Sequence, residues 1–188
     1  MKYYNMKRLL SMLFFTVIAF GSFAQLTTVP KQNIPEKYGF IVEIGQQMPE
    51  IEFALTDGTT VKTSDLKGKV IMLQFTASWC SVCRKEMPHI EKEIWQKHKN
   101  NKDFVLFGVD MNEPVDRVKK FAEKMKITYP LALDPGAKIF YTFAAKGAGI
   151  TRNVIIDKSG KIVYMTRLFK QDEFDEMVEV IGLLLESY

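Results

Sequence analysis

The apolar positions of this 188-residue chain fall into runs of different character. "LLSMLFFTVIAF" (9–20) is unbroken and uncharged. "KVIMLQF" (69–75) and "DFVLFGVD" (103–110) are nearly continuous runs of strand length, the pattern of strands covered on both faces. "IEFAL" (51–55) alternates instead, and Asp57-Gly58 in "TDGTTV" (56–61) supplies the turn of a hairpin. The spacing predicts a helix over 82–99 with Pro88 inside it, and another over 113–126 with Pro114 near its first turn. "PLALD" (130–134) is short and extended, and "PGAKIFYTFAA" (135–145) reads as a short helix. "NVIIDKSGKIVYMTRL" (153–168) is a hairpin turning at Ser159-Gly160. Towards the C-terminus Phe174, Met177, Val178, Ile181, Leu184 and Leu185 recur at helical spacing and form one apolar stripe. Buried strands alternating with helices, then an antiparallel hairpin and a closing helix, specify an α/β fold with a central mixed sheet and helices on both faces.

The first apolar run changes the picture of where the protein works. Lys2, Lys7 and Arg8 precede it, and "GSFA" follows it. A basic start, an apolar run and a small-residue exit are the signature of a secretory signal peptide, here residues 1–24 with cleavage after Ala24. The run falls short of the ~20 residues that span a bilayer. A periplasmic location is therefore expected. Residues 25–44 then form an extended lead-in, and 45–188 a single domain. The formal charge of +4 shrinks with this division. Three of the 26 basic residues lie in 1–24, leaving 23 against 22 acidic ones, so charge gives no case for binding nucleic acid.

Both cysteines of the chain stand in "SWCSVC" (78–83), between a buried strand and a helix. Cys80 is thereby placed at a helix N-terminus, where unpaired N–H groups and the macrodipole favour a thiolate. Cys83, one turn on, comes to the same face within bridging reach. The pair can attack a partner's disulfide and then resolve the mixed disulfide. A bridge across so short a loop contributes little to stability, which weakens a purely structural reading. Zinc finds little support, because there is no second C-x-x-C and His89 and His98 are spaced as in no usual finger. No metal or cofactor is expected.

"GKVIMLQFTASWCSVCRKEMP" (68–88) resembles the active-site segment of the thioredoxin superfamily, most closely the exported thiol–disulfide reductases of the TlpA/ResA type. Phe75, Ala77, Ser78, Trp79, Cys80, Cys83, Glu86 and Pro88 carry the match. Residues 44–69 resemble the family's N-terminal hairpin extension, "VIIDKSGKIV" (154–163) its later hairpin, and 113–126 its central helical insertion. The resemblance implies a thioredoxin-like fold, with Cys80 and Cys83 catalytic and Trp79, Glu86, Pro88, Ile150 and Thr151 supporting. It further implies exported disulfide-containing proteins as substrates and a membrane electron donor of the DsbD type. A monomer is expected.

Three departures stand out. Thr151 occupies the place of the family's cis proline, so a trans Ile150–Thr151 bond is expected and substrate docking is in question. Ser81-Val82 between the cysteines lacks the frequent proline. Gln74 replaces a buried acid and cannot take a proton from Cys83. Glu86, one turn beyond Cys83, is a candidate for that task, with an exposed capping or ion-pairing role as the alternative. Pro88 is expected to kink the helix. Two other functions remain open. One is a peroxiredoxin-like thiol peroxidase, a branch that shares "IIDKSGKI", although Arg152 stands one off the register of that branch's arginine. The other is a metal- or haem-assembly chaperone that holds cargo between the thiols.

Overall fold

The computed structural model describes residues 32–186. Seven strands form one sheet: β1 (Glu52–Leu55), β2 (Thr60–Lys62), β3 (Val70–Thr76), β4 (Phe104–Met111), β5 (Leu131–Asp134), β6 (Arg152–Ile156) and β7 (Ile162–Arg167), in the order β2-β1-β5-β4-β3-β6-β7. β3, β4 and β5 run parallel; β6 is antiparallel to β3, β7 to β6, and β1 to both β5 and β2. The apolar runs read as doubly covered strands are the two at the centre. Every residue of β3 is buried.

Strand alternation sorts the side chains of β3 into two cores. Ile71, Leu73 and Phe75 pack with Phe140 and Phe143 of the short helix α3 (Phe140–Phe143). Val70 and Met72 pack on the other side with three helices: α1 (Ser81–Ile90), α2 (Val115–Met125) and α4 (Gln171–Glu186). Helices on both faces are thus observed, as expected.

α1 carries Pro88 within it. The helix does not end there but continues through a π-helical stretch, Glu91–Trp95, and a last turn, Gln96–His98. The wider turn begins just past the proline, in keeping with a local adjustment of the ladder. The helix read over 135–145 is shorter than expected. Gly136 and Ala137 have positive φ (74° and 55°), which breaks the helical path ahead of α3. In α4, Val180 is buried with Phe174, Met177, Ile181 and Leu184, while Val178 and Leu185 only flank the core.

The lead-in is seated on the domain over its described part. Glu36–Tyr38 forms a 3-10 turn, Phe40 bridges to Ala144, and Tyr38 and Val42 are buried. The expected signal peptide and residues 25–31 lie outside the described residues. No helix among the described residues is long and apolar enough to cross a membrane.

Candidate active site

β3 delivers the chain to a short loop, Ala77–Trp79, and Cys80 follows as the N-cap of α1 (φ −79°, ψ 110°). The Cys83 N–H donates to Cys80 Sγ at 3.1 Å, so the cap of this helix is a sulfur. The two cysteines are bridged, with Cα atoms 5.3 Å apart. Cys80 is 7% exposed and Cys83 fully buried. Trp79, 60% exposed, stands beside them on the surface.

Thr151 closes the site from the β6 side. Its Oγ1 lies 3.2 Å from Cys80 Sγ and 3.3 Å from Cys83 Sγ. Its carbonyl accepts from the Leu168 N–H at 3.2 Å and from an Arg167 guanidinium nitrogen at 3.4 Å. Ile150, just before it, is buried. All peptide bonds of the described residues are trans, the one before Thr151 included.

A polar row crosses the sheet on the face that Val70 and Met72 share, while Cys83 packs in the core on the other face. Gln74 pairs in register with Gly108 on one side and Asn153 on the other, and Asn153 with Thr166. Glu86 of α1 reaches this row and is 1% exposed. It accepts from Asn153 Nδ2 at 2.7 Å and from Gln74 Nε2 at 3.5 Å. Asn153 Nδ2 also donates to Thr166 Oγ1 at 2.8 Å, and the Tyr129 hydroxyl donates to Gln74 Oε1 at 2.7 Å. Burial raises the Glu86 carboxyl to about 7, against the opposing pull of the Asn153 and Gln74 amides. The alternative reading of Glu86 as an exposed capping residue is thereby excluded.

A family model for redoxins matches residues 43–181. The chain belongs to the redoxin family. Among its curated relatives are the thiol–disulfide oxidoreductases ResA of Bacillus cereus and Bacillus anthracis. The first is 33% identical over 122 residues, covering 65% of this chain and 68% of the relative. The second is 34% identical over 123 residues, with the same coverage. A solution structure from Bacteroides thetaiotaomicron, described as a protein disulfide isomerase, is 57% identical with a TM-score of 0.77, covering 79% of this chain and 93% of that one. A Chlorobium tepidum structure described as the thiol:disulfide interchange protein DsbE is 25% identical with a TM-score of 0.66, covering 77% and 99%. This redoxin is a thiol–disulfide oxidoreductase of the thioredoxin superfamily, of the TlpA/ResA-like kind.

The redoxin site contains groups that sequence reasoning passed over. Ser78 is held by Glu113, which accepts from its N–H at 2.5 Å and from its hydroxyl at 2.6 Å. Asp110, at the end of β4 beside Thr76, is fully buried, and burial together with the nearby Glu113 raises its carboxyl to about 8. The only signal for Glu113 was its place just before Pro114 at a helix start. Arg152, weighed for a peroxidase and out of register for it, lies on the face of the sheet that α3 covers. Its Nε donates to the Gly149 carbonyl at 3.0 Å, and its guanidinium lies 4.5 Å from the Phe40 ring centroid and 5.8 Å from that of Phe140.

Proposed function

We propose that this redoxin is exported and reduces disulfides of other exported proteins through a Cys80–Cys83 relay. The observation that carries the reading is the bridging of Cys80, 7% exposed at the N-cap of α1, to the fully buried Cys83 a turn behind it. The Cys80 thiolate attacks a partner disulfide, forming a mixed disulfide and releasing one partner sulfur as thiolate, which takes up a proton. Cys83 then loses its proton and attacks Cys80 Sγ, closing the bridge and expelling the second partner sulfur. Two electrons pass to the partner. Glu86, on the same helix with its carboxyl raised to about 7, receives the Cys83 proton at neutral pH. Trp79, exposed just before Cys80, supplies apolar surface beside the bond that exchanges, and buried Ile150 backs Thr151. A membrane electron carrier of the DsbD type, which the family resemblance suggests, returns the bridge to the dithiol. Support for export comes from the basic start and apolar run at the N-terminus.

Cys83→Ser should leave the first step intact and block the second, so covalent complexes with exported proteins accumulate on a non-reducing gel. Cys80→Ser should trap few, since the remaining thiol is buried. Equal trapping by the two variants would reject the assigned order. Full peroxide turnover by Cys83→Ser, without trapped proteins, would instead favour a peroxidase.

A further inference from the structure

Thr151 stands where the resemblance leads one to expect a proline, which would offer the sulfurs no hydroxyl. Here a hydroxyl sits within 3.2 and 3.3 Å of the two sulfurs. It has one hydrogen to give and two lone pairs to receive with, so it cannot donate to both at once. When the bridge is opened, the sulfur at the helix N-terminus, already receiving the Cys83 N–H, is the one that holds negative charge. The hydroxyl hydrogen therefore goes to Cys80. A lone pair of Oγ1 remains for the Cys83 S–H. The arrangement is a short chain, from the Cys83 thiol through Oγ1 to the Cys80 thiolate.

We propose that Thr151 is a catalytic residue, its hydroxyl donating to the Cys80 thiolate and accepting from the Cys83 thiol, and so setting the acidities of the two thiols apart. The proposal rests on the dithiol relay described above. A hydrogen bond to the charged form of Cys80 favours its ionisation, and one from the neutral form of Cys83 disfavours ionisation there. Burial or the helix dipole alone would give no such opposed pair of effects through one side chain. The hydroxyl is held for the task. Thr151 is 2% exposed, and its carbonyl is fixed by Leu168 and Arg167.

The redox consequence follows from the half-reaction. The bridge takes two electrons and one proton to give the Cys80 thiolate and the Cys83 thiol. The electrons come from a donor dithiol, which closes to its own disulfide. Thr151 stabilises the reduced side, so it raises the reduction potential, and its loss should make the protein a stronger reductant. The charged groups on the elements that carry the pair and Thr151 include Arg84 and Glu86 of α1, Arg152 of β6 and Arg167 of β7, with Glu113 on Ser78 and Asp110 near Glu113. They are common to every variant compared, so differences between variants report the hydroxyl.

The test uses Thr151→Val, Thr151→Ala and Thr151→Ser in the full chain. Alkylation of each cysteine is followed across pH by mass spectrometry, and the potential is measured against glutathione buffers. Thr151→Val and Thr151→Ala should each leave about tenfold less Cys80 thiolate at a given pH below its pKa, make Cys83 more acidic, and so narrow the gap. The potential should fall by about 30 mV for each tenfold change. Thr151→Ser should follow the wild type. Serine and alanine both lack the threonine methyl, so a role in packing alone would make those two variants alike and overturn the proposal. An unchanged gap in both Thr151→Val and Thr151→Ala would overturn it equally. Insulin reduction by the wild type with dithiothreitol tests the relay separately. A wild type inactive there, whose gap still narrows in Thr151→Val, would reject the relay while upholding the hydroxyl's effect on the thiols.

Discussion

A carboxyl raised by burial makes stability depend on pH. Glu86 rises from 4.5 to about 7 in the folded protein, so between those values the folded state binds a proton that the unfolded state has lost. Stability therefore falls as pH climbs through that window and levels off above it. The shift corresponds to about 3 kcal/mol. Glu86→Gln should flatten that slope, and urea unfolding at pH 5 and pH 8 measures it. A variant whose pH dependence matches the wild type would show that Glu86 is not the group responsible. The same substitution should slow resolution of the mixed disulfide at neutral pH while leaving the first attack intact, which single-turnover kinetics separates. Glu86 also marks a limit of sequence reading. Its place one turn beyond Cys83 was plain, and its candidacy as a base followed from that. Its burial was not plain, because the groups that hold it come from Asn153 and Gln74, and Asn153 stands 67 residues away along the chain.

Among the elements, the central strands were the most legible. Runs such as 69–75 and 103–110 are apolar on both faces because both faces are covered, and their short length and β-branched and aromatic content separate them from a buried helix. Gln74 was visible as a polar break in one of them, yet its reason was not. It emerges only from register, which sets Gln74 between Gly108 and Asn153 and builds a polar row that no single strand shows. Gly108 belongs to this row by having no side chain. A Cβ there would lie 2.4 Å from Leu131 Cδ2 and 3.1 Å from Tyr129 Cε2, where Tyr129 leans over to reach Gln74. Gly108→Ala should thus cost about 1–3 kcal/mol by overpacking. It should also loosen the Tyr129–Gln74 hydrogen bond and shift the acidity of Glu86. Denaturant melts and a carboxyl titration by NMR check the two effects, and an Ala variant of wild-type stability would contradict the close packing. The π-helical stretch after Pro88 and the early end of the 135–145 helix escaped sequence reading for a related reason. Both are adjustments to local backbone strain, and apolar periodicity does not record them.

For the molecule as a whole, the described lead-in is part of the fold and not a tether. Tyr38 and Val42 are buried, and Tyr38 is further tied to Glu173 of α4 and to Lys170 just before that helix. Each buried side chain of this kind contributes roughly 1.5–3 kcal/mol. A chain beginning at residue 45 should therefore melt well below one beginning at residue 25, and calorimetry of the two would show it. Equal midpoints would mean that the lead-in rests on the domain without supporting it. Reduction of the Cys80–Cys83 bridge should have a much smaller effect on the melt, since a link three residues apart in sequence restrains the unfolded chain only slightly.

The lead-in also decides what can grow onto the sheet. β7 is an outer strand, and Gln32 treats it as a neighbouring strand would, its amide donating to the Met165 carbonyl and accepting from the Met165 N–H, each at 2.8 Å. Further along, the Gly45 N–H and Gln46 carbonyl take up the Ile162 carbonyl and N–H. An open rim of this kind is a template for other chains, and here it is already occupied. The other rim, β2, is three residues long and carries Lys62, which makes it a poor template too. Colloidal behaviour at high concentration thus hangs in part on one glutamine amide. Gln32→Ala frees a backbone donor and acceptor on β7, and light scattering of concentrated samples should register the resulting edge-to-edge association.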